Sequence, residues 1–207
     1  MKMRTEARCD AIVAAASGLF REMGYERASM NELAKRLGGS KATLYGYFPS
    51  KVALFVSVVR ASSTSHLSGA IEELNGVNGG PVELEATLLR FAERMLQVLT
   101  NDKSAIAVYR MVVGEAGHSE VGELFREAGP KEANDALAGV LTNGMKCGKL
   151  RKADPELTAT QFMSLVIAET NSRLLERDPK PMTIVQIRKI AKRATDFFFN
   201  AMRPSRG

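Results

Sequence analysis

Residues 29–49 constrain the fold more than any other segment, because they predict two short helices separated by a tight turn. Ser29 is placed to cap the first helix, and Ser40 is placed to cap the second. Two adjacent glycines precede Ser40, and Pro49 ends the second helix. This spacing is typical of a helix-turn-helix.

The second of these helices has two different faces. Leu44 and Phe48, four residues apart, predict an apolar side that packs against the first helix. Gly46 costs the helix about 1 kcal/mol relative to alanine, which indicates that the backbone there comes close to DNA. The opposite side has a cation, a methyl group, a hydroxyl and two phenols, which suit phosphates and base edges: Lys41, Ala42, Thr43, Tyr45 and Tyr47. The alternative is a solvated helix surface whose tyrosines are incidental.

The net charge of +6 is concentrated in the N-terminal part of the chain. Residues 1–60 contain ten Lys or Arg and five Asp or Glu, whereas the remaining residues contain 19 and 18. A polyanion such as nucleic acid would therefore be attracted to the N-terminal part. The rest of the chain has no comparable excess of positive charge.

Helical periodicity extends over nearly the whole chain, and the alternating pattern of a strand is absent. We therefore predict an all-α protein. An N-terminal three-helix helix-turn-helix DNA-binding domain, residues 1–50, is joined to a larger helical domain, residues 51–207. The segment LNGVNGG at residues 74–80 predicts a break. Outside the helix-turn-helix, helices are predicted at 5–23, 81–100, 102–117, 119–128, 131–147, 154–177 and 183–202, with a further helix beginning at Ser50.

Residues 8–59 resemble the N-terminal DNA-binding domain of TetR/AcrR transcriptional regulators. The resemblance rests on the elements AAxxLFxxxGY, SMNELAKRLG, GSKATLYGYF and SKxxLF, in which glycines, aromatic residues, caps and apolar spacing agree. It implies that Tyr45 and Lys51 contact mainly phosphates. The predicted DNA-contacting residues are Ser29, Ser40, Lys41, Ala42, Thr43, Tyr45, Tyr47 and Lys51.

The elements YRMVVGEA, GELFREAGP and GKLRKADPELTATQF, within residues 105–175, resemble the AefR-type C-terminal domain of some members of that family. The resemblance implies that the domain over residues 51–207 serves regulation, ligand binding and dimerisation. Such domains dimerise through their last two long helices and often enclose a small-molecule pocket. The residues themselves also predict dimerisation, since two apolar stripes near the chain end suffice for a four-helix bundle between subunits. The predicted interface is Phe162, Val166, Ile187, Ile190, Ala194, Phe197 and Phe198.

The resemblance also implies a ligand pocket, for which the candidate residues are Phe91, Met95, Tyr109, Met111 and Met163. Apolar residues at helical spacing equally well form an ordinary core, so both interpretations stay open at this point. A pocket with this lining would bind a small hydrophobic effector.

Metal and catalytic chemistry find little support in the sequence. Cys9 and Cys147 are isolated from each other and from histidines, so neither a zinc site nor a disulfide framework is predicted. Glu115 and His118 form a Glu-x-x-His pair, but His66 is the only other histidine, so the second pair of a di-metal site cannot exist. We expect no metal, no cofactor and no enzymatic activity.

No apolar run approaches the roughly 18 residues needed to cross a bilayer. The segment AIVAAASGLF resembles the apolar part of a secretory signal, but Glu6 and Asp10 are wrong for its charged leader. We therefore expect a cytoplasmic protein without a membrane partner.

These features predict a homodimeric transcriptional regulator, most often a repressor in such families. It would bind a double-stranded operator, expected to be palindromic, and be released from it by a small-molecule effector. One alternative is a ligand-independent or architectural DNA-binding protein whose C-terminal domain only dimerises. A third interpretation is an all-helical enzyme with a vestigial DNA-binding fold.

Overall fold

The computed structural model describes residues 5–61, residue 74 and residues 81–204, with side chains described from residue 84 onward in the last range. Every regular element in these ranges is helical, which confirms the all-α prediction. The helices are α1 (Glu6–Met23), α2 (Met30–Arg36), α3 (Lys41–Tyr47), α4 (described over Lys51–Ala61), α5 (Pro81–Asn101), α6 (Lys103–Glu115), α7 (Val121–Ala128), α8 (Pro130–Lys146), α9 (Pro155–Ile167) and α10 (Ile184–Ala201).

Local capping chemistry explains where the short helices begin. The Ser29 hydroxyl accepts a hydrogen bond from the Glu32 amide (3.1 Å), and the Ser40 hydroxyl accepts one from the Thr43 amide (3.0 Å). Both predicted caps are therefore confirmed. Gly38, with φ 60°, makes the left-handed turn between α2 and α3.

The predicted ends of the longer helices agree with the structure to within two residues for α1, α5, α6, α7, α8 and α10. The predicted break at residues 74–80 falls, apart from Leu74, outside the described residues. His66 also lies outside them.

The predicted single helix over 154–177 is wrong, because α9 ends at Ile167. A turn follows, and a 3₁₀ segment occupies Asn171–Leu175. The amide and hydroxyl of Thr170 both donate to the Ile167 carbonyl (2.9 and 3.0 Å). Threonine, asparagine and serine side chains compete in this way with the helical hydrogen bonds of the backbone. The apolar periodicity of the segment concealed the interruption.

The chain forms two compact units, each built from two separate segments. We call Met1–Thr64 with Ala107–Gly129 the N-terminal unit, and Ser65–Ile106 with Pro130–Gly207 the C-terminal unit. The N-terminal unit therefore extends past the predicted boundary at residue 50. These units are defined by packing, so the functional division at residue 50 stays a prediction.

The core of the N-terminal unit joins the helix-turn-helix to a later part of the chain. Helices α1 to α4 share this core with α7 and with the part of α6 after residue 106. Its buried side chains include Ile12, Leu19, Phe20, Leu33, Leu44, Phe55, Val108, Val112 and Val121. Helices α1 to α4 thus depend on residues 107–129 for part of their apolar cover.

The C-terminal unit packs α5, α8, α9 and α10 around a second core. The rings of Phe162 and Phe198 meet edge to face, with centroids 4.9 Å apart. The Arg151 amide donates to the Met202 carbonyl (2.9 Å), so the N-terminal end of α9 lies beside the C-terminal end of α10.

Within the described residues, no single helix is both long and apolar enough to cross a bilayer. Helices α3 and α4 pass that test only when taken together, and they are bent by 58° at the break between them.

Candidate nucleic-acid interface

Helix α3 is held at the surface of the N-terminal unit by one apolar side. Leu44 and Phe48 are buried in the core together with Leu33 of α2, as the four-residue spacing predicted. At its N-terminus, the hydroxyls of Ser40 and Thr43 lie 2.9 Å apart, in addition to the capping bond. Packing on one side and a cap at the end therefore fix the orientation of this helix.

The other side of α3 is open to solvent and displays most of the predicted contacts. Lys41, Ala42 and Thr43 are exposed, as are the two capping serines. Tyr45 is 42% exposed, and the Lys41 ammonium lies 5.7 Å from its ring centroid. Tyr47 is half-buried and packs against the core, so it combines a structural contact with partial exposure. The structure thus places one cation, hydroxyls and a phenol on a single surface.

Lys51 occupies a different environment from the exposed face of α3. Its ammonium donates to three backbone carbonyls, those of Tyr25 (3.0 Å), Glu26 (3.3 Å) and Ala28 (3.4 Å). It also lies 4.3 Å from the centroid of the Tyr25 ring. The predicted phosphate contact of Lys51 is therefore in competition with these internal acceptors.

Tyr25 is buried in the core of the N-terminal unit, a position that the sequence did not predict. Its ring packs against Phe20 and Phe55, with centroids 5.7 and 5.0 Å away. Burial, then the negative charges of Glu120 and Glu26, raise the pKa of Tyr25 to about 12. The phenol is therefore neutral throughout the physiological pH range.

An ion pair connects α1 to α2 next to the turn. The Arg36 guanidinium lies 2.7 Å from the Glu22 carboxylate and 3.9 Å from that of Glu32. The hydrogen bond from Arg36 lowers the pKa of Glu22. Arg36 is therefore engaged within the N-terminal unit, and the pair is too exposed to contribute much stability.

The predicted pocket residues are divided between the two units. Phe91 and Met95 belong to the core of the C-terminal unit, and Met163 packs against it. Tyr109 and Met111 belong to the N-terminal unit, where the Tyr109 ring meets Phe125 at 5.9 Å. The pocket stays a prediction.

Six of the seven predicted interface residues are buried inside the C-terminal unit: Phe162, Val166, Ile187, Ile190, Ala194 and Phe198. Phe197 alone of the seven is exposed, at 64%. Because a buried side chain has little surface left for a second chain, the apolar stripes that suggested an interface form the core of the protomer. The dimer interface itself stays a prediction.

The Glu-x-x-His pair lies at the end of α6. The His118 amide donates to the Glu115 carbonyl (2.9 Å), which closes a turn of the backbone. In the part of the chain that the structure describes, no three His, Cys, Asp or Glu side chains come together as a metal site.

Helix α3 is capped, packs through one apolar side on the core of the N-terminal unit and carries basic and hydroxyl groups on its open side. This geometry is that of a helix-turn-helix DNA-binding protein. A family model described as "Bacterial regulatory proteins, tetR family" matches residues 12–58. A second model, described as "AefR-like transcriptional repressor, C-terminal domain", matches residues 86–204, more than half of the chain. The chain therefore belongs to the TetR family of transcriptional regulators, with an AefR-like C-terminal domain.

Solved structures and relatives agree with this assignment. The Flavonoid-responsive Regulator FrrA is 30% identical, with 97% of this chain and 100% of FrrA covered and a TM-score of 0.75. The transcriptional regulator FadR from Bacillus subtilis, solved in complex with stearoyl-CoA, is 16% identical at a TM-score of 0.69 over 93% of this chain and 98% of FadR, and shows the fold alone.

Among relatives of known name, the HTH-type transcriptional activator FasR from Mycolicibacterium smegmatis is 31% identical over 90 residues. The match covers 44% of this chain and 41% of FasR, so the chain spans less than half the length of that relative. Membership of the TetR family makes the chain a DNA-binding transcriptional regulator and not an enzyme.

Proposed function

We propose that the protein is a homodimeric repressor that acts in the cytoplasm, binds a palindromic operator and leaves it when a small hydrophobic effector binds. The observation that supports this most directly is the exposed, capped face of α3. The family model for the C-terminal domain describes repressors, whereas the relative FasR is named an activator. We assign repression because the C-terminal domain model matches residues 86–204, a longer stretch than the 90 residues that match FasR.

The proposed DNA contacts lie on and beside α3. Thr43 and Ala42, in the first turn of the helix, would reach base edges, while Lys41 and Tyr45 would contact phosphates. Ser29, Ser40 and Tyr47 complete the proposed set of DNA contacts. In a two-fold dimer, the two α3 helices must be about 34–36 Å apart, or a multiple of one helical turn, to enter major grooves on one face of DNA.

The proposed dimer interface uses the outer faces of α9 and α10, since their inner faces form the core. Leu157 is 56% exposed on α9, and Phe197 is 64% exposed on α10. Leu157 and Phe197 both lie toward the end of the C-terminal unit at which the Arg151 amide donates to the Met202 carbonyl. Large exposed apolar side chains of this kind are typical of a surface that a second chain covers.

The proposed effector site involves the apolar core of the C-terminal unit near Phe91, Met95 and Met163. FrrA responds to flavonoids, and FadR was solved with stearoyl-CoA. Hydrophobic compounds are therefore the class to test first. A ligand that prefers the form unable to bind DNA would shift the population away from the operator-bound form.

Selection of binding sites from random duplex DNA by the purified full chain tests the proposal. A palindromic motif with half-sites about one helical turn apart, or a multiple of it, is the expected result. Enrichment of no sequence, with binding that disappears at high salt, would favour an architectural role and refute the proposed operator. Long-chain acyl-CoA and flavonoids should then raise the melting temperature and release the selected duplex, whereas no response to any compound would refute effector release.

A further inference from the structure

The Arg8 guanidinium, which belongs to α1, lies over the turn between α2 and α3. A Cβ placed on Gly39 would be 3.5 Å from the Nη2 atom of Arg8. Gly39 is exposed and directly precedes Ser40, the residue that caps α3. Since consecutive Cα atoms are about 3.8 Å apart, this guanidinium lies beside the start of α3.

The charge of Arg8 is not used within the N-terminal unit. Among the described residues, no carboxylate forms an ion pair with its side chain and no carbonyl accepts a hydrogen bond from it. Three other arginines of the unit are engaged, because Arg21 and Arg27 each donate to a backbone carbonyl of α1 and Arg36 pairs with a carboxylate. A guanidinium has five N–H donors and stays charged at every physiological pH. Arg8 therefore has its donors available for an external acceptor.

The stability of α1 does not explain an arginine at this position. Arg8 is the third residue of α1, where the helix dipole disfavours a positive charge. The residues three and four positions later are Ala11 and Ile12, so no carboxylate faces Arg8 from the next turn. No ion pair along the following turn of α1 compensates the cation.

The exposed groups next to the turn indicate the class of partner. Ser40, Lys41 and Thr43 are exposed there and belong to the proposed DNA face of α3. A planar guanidinium can donate to two oxygens of one phosphate. Arg8 is half-buried, so ordering its side chain on a ligand costs less conformational entropy than ordering a fully exposed arginine. A phosphate of the DNA backbone fits this position by charge and by geometry.

We propose that Arg8 is a further DNA contact, which binds a backbone phosphate beside α3, and that the absence of a side chain at Gly39 gives its guanidinium room to do so. Arg8 lies outside residues 12–58, which the family model for the DNA-binding domain matches. The inference rests on the proposed placement of DNA against α3. It does not depend on repression or on effector release.

The test compares Arg8→Gln with Arg21→Gln, because glutamine removes the charge and keeps a polar side chain. Arg21 lies on the same helix about 20 Å further along its axis, too far to reach the same phosphate. Both full-length variants, shown to be folded by circular dichroism, are titrated over a series of salt concentrations against the duplex selected from random DNA and against a mixed-sequence duplex. The slope of log Kd against log salt reports the number of phosphates neutralised.

For Arg8→Gln we expect the slope to decrease by about 0.9 for each phosphate lost, or about 1.8 for a dimer that uses both copies of Arg8. The affinity for both duplexes should fall by the same factor, because a phosphate contact carries no sequence information. Arg21→Gln should leave the slope unchanged.

A second variant tests the role of the glycine. Gly39→Val adds methyl groups beyond the Cβ position, next to the guanidinium, and should therefore decrease the slope in the otherwise unchanged protein. In the Arg8→Gln chain, the same substitution should have no further effect on the slope. Equal effects of Gly39→Val in both chains would show that it acts on the turn and not through Arg8.

Three results would overturn the phosphate contact. An unchanged slope for Arg8→Gln would show that Arg8 neutralises no phosphate. An equal decrease in both glutamine variants would trace the effect to net charge alone. A loss of affinity confined to the selected duplex would make Arg8 a base contact.

Lys41→Met separates failure of this inference from failure of the proposed function. If Arg8→Gln and Lys41→Met both leave the slope unchanged, the proposed DNA face of α3 is wrong. If only Lys41→Met decreases the slope, the failure concerns Arg8 alone. Should no sequence be selected from random DNA, the slopes on the mixed-sequence duplex still decide whether Arg8 contacts phosphate.

Discussion

Gly46→Ala should separate the stability of α3 from its access to DNA. Gly46 lies in the last turn of α3, and a Cβ placed there would meet no other atom within 4 Å. Replacing a helical glycine with alanine stabilises by about 0.5–1 kcal/mol when the space is free. For a chain of this size, a gain of that order raises the melting temperature by about 1–4 °C.

The same methyl group should weaken DNA binding if the backbone at Gly46 comes against the duplex. Forcing an extra methyl into a packed contact costs about 1–3 kcal/mol, so we expect at least about a fivefold loss of affinity. Gly18→Ala in α1 is the matched control, because a Cβ there also meets nothing within 4 Å. It should stabilise the chain similarly and leave DNA binding unchanged.

Thermal melts followed by circular dichroism at one protein concentration give the stability of both variants, and fluorescence anisotropy on one duplex at fixed salt gives their affinity. If Gly46→Ala binds as tightly as Gly18→Ala, the backbone at Gly46 does not approach DNA. The reason inferred for a glycine in this short helix would then be wrong.

Three further predictions concern packing, pH and assembly. Gly24→Ala should destabilise the fold by about 1–2 kcal/mol, because Gly24 has φ 80° and the Glu115 carboxylate occupies the space of a Cβ. An unchanged melting temperature would contradict this expectation. Adding Glu115→Ala should recover only the part of the destabilisation that comes from the steric clash. The pKa of Tyr25 in the folded chain is about 12, above the value of about 10 expected in the unfolded chain, so its contribution to stability is present below pH 10 and lost as pH rises toward 12. In denaturant titrations, the free energy of unfolding of Tyr25→Phe should therefore fall less steeply between pH 9 and pH 11 than that of the unchanged protein. Equal slopes of unfolding free energy against pH would refute the assignment. Phe197→Glu should shift the sedimentation coefficient toward that of the monomer. Val113→Glu, at a site 61% exposed on α6, is the control and should leave sedimentation unchanged. A Phe197→Glu chain that remains dimeric would exclude the proposed interface.

Features encoded locally were predicted well from the sequence. The caps at Ser29 and Ser40 depend on residues three positions apart, and both are confirmed. The burial of Leu44 and Phe48 follows from a single helical turn. Such short patterns can be interpreted from the local sequence alone, because they involve no distant partner.

Features that depend on distant partners were not predicted. Apolar periodicity showed that Phe162 and Ile187 would be buried, but it could not tell a core within one chain from an interface between two. The acceptors of Lys51 lie more than 20 positions earlier in the chain and are backbone atoms, which leave no trace in residue identity. Val108 and Val112 are four residues apart, a spacing typical of one buried helix face, but that spacing does not identify the helix-turn-helix as their partner.

The composition of the N-terminal unit has a consequence for attempts to build hybrid regulators. Because residues 107–129 complete the core around α1 to α4, a fragment cut after residue 64 would lose the cover that Val108, Val112 and Val121 provide. Such a fragment would expose apolar surface and tend to aggregate. Grafting this DNA specificity onto another sensor therefore requires transplanting two stretches of chain, whereas exchanging only the outward-facing residues of α3 would leave the shared core intact.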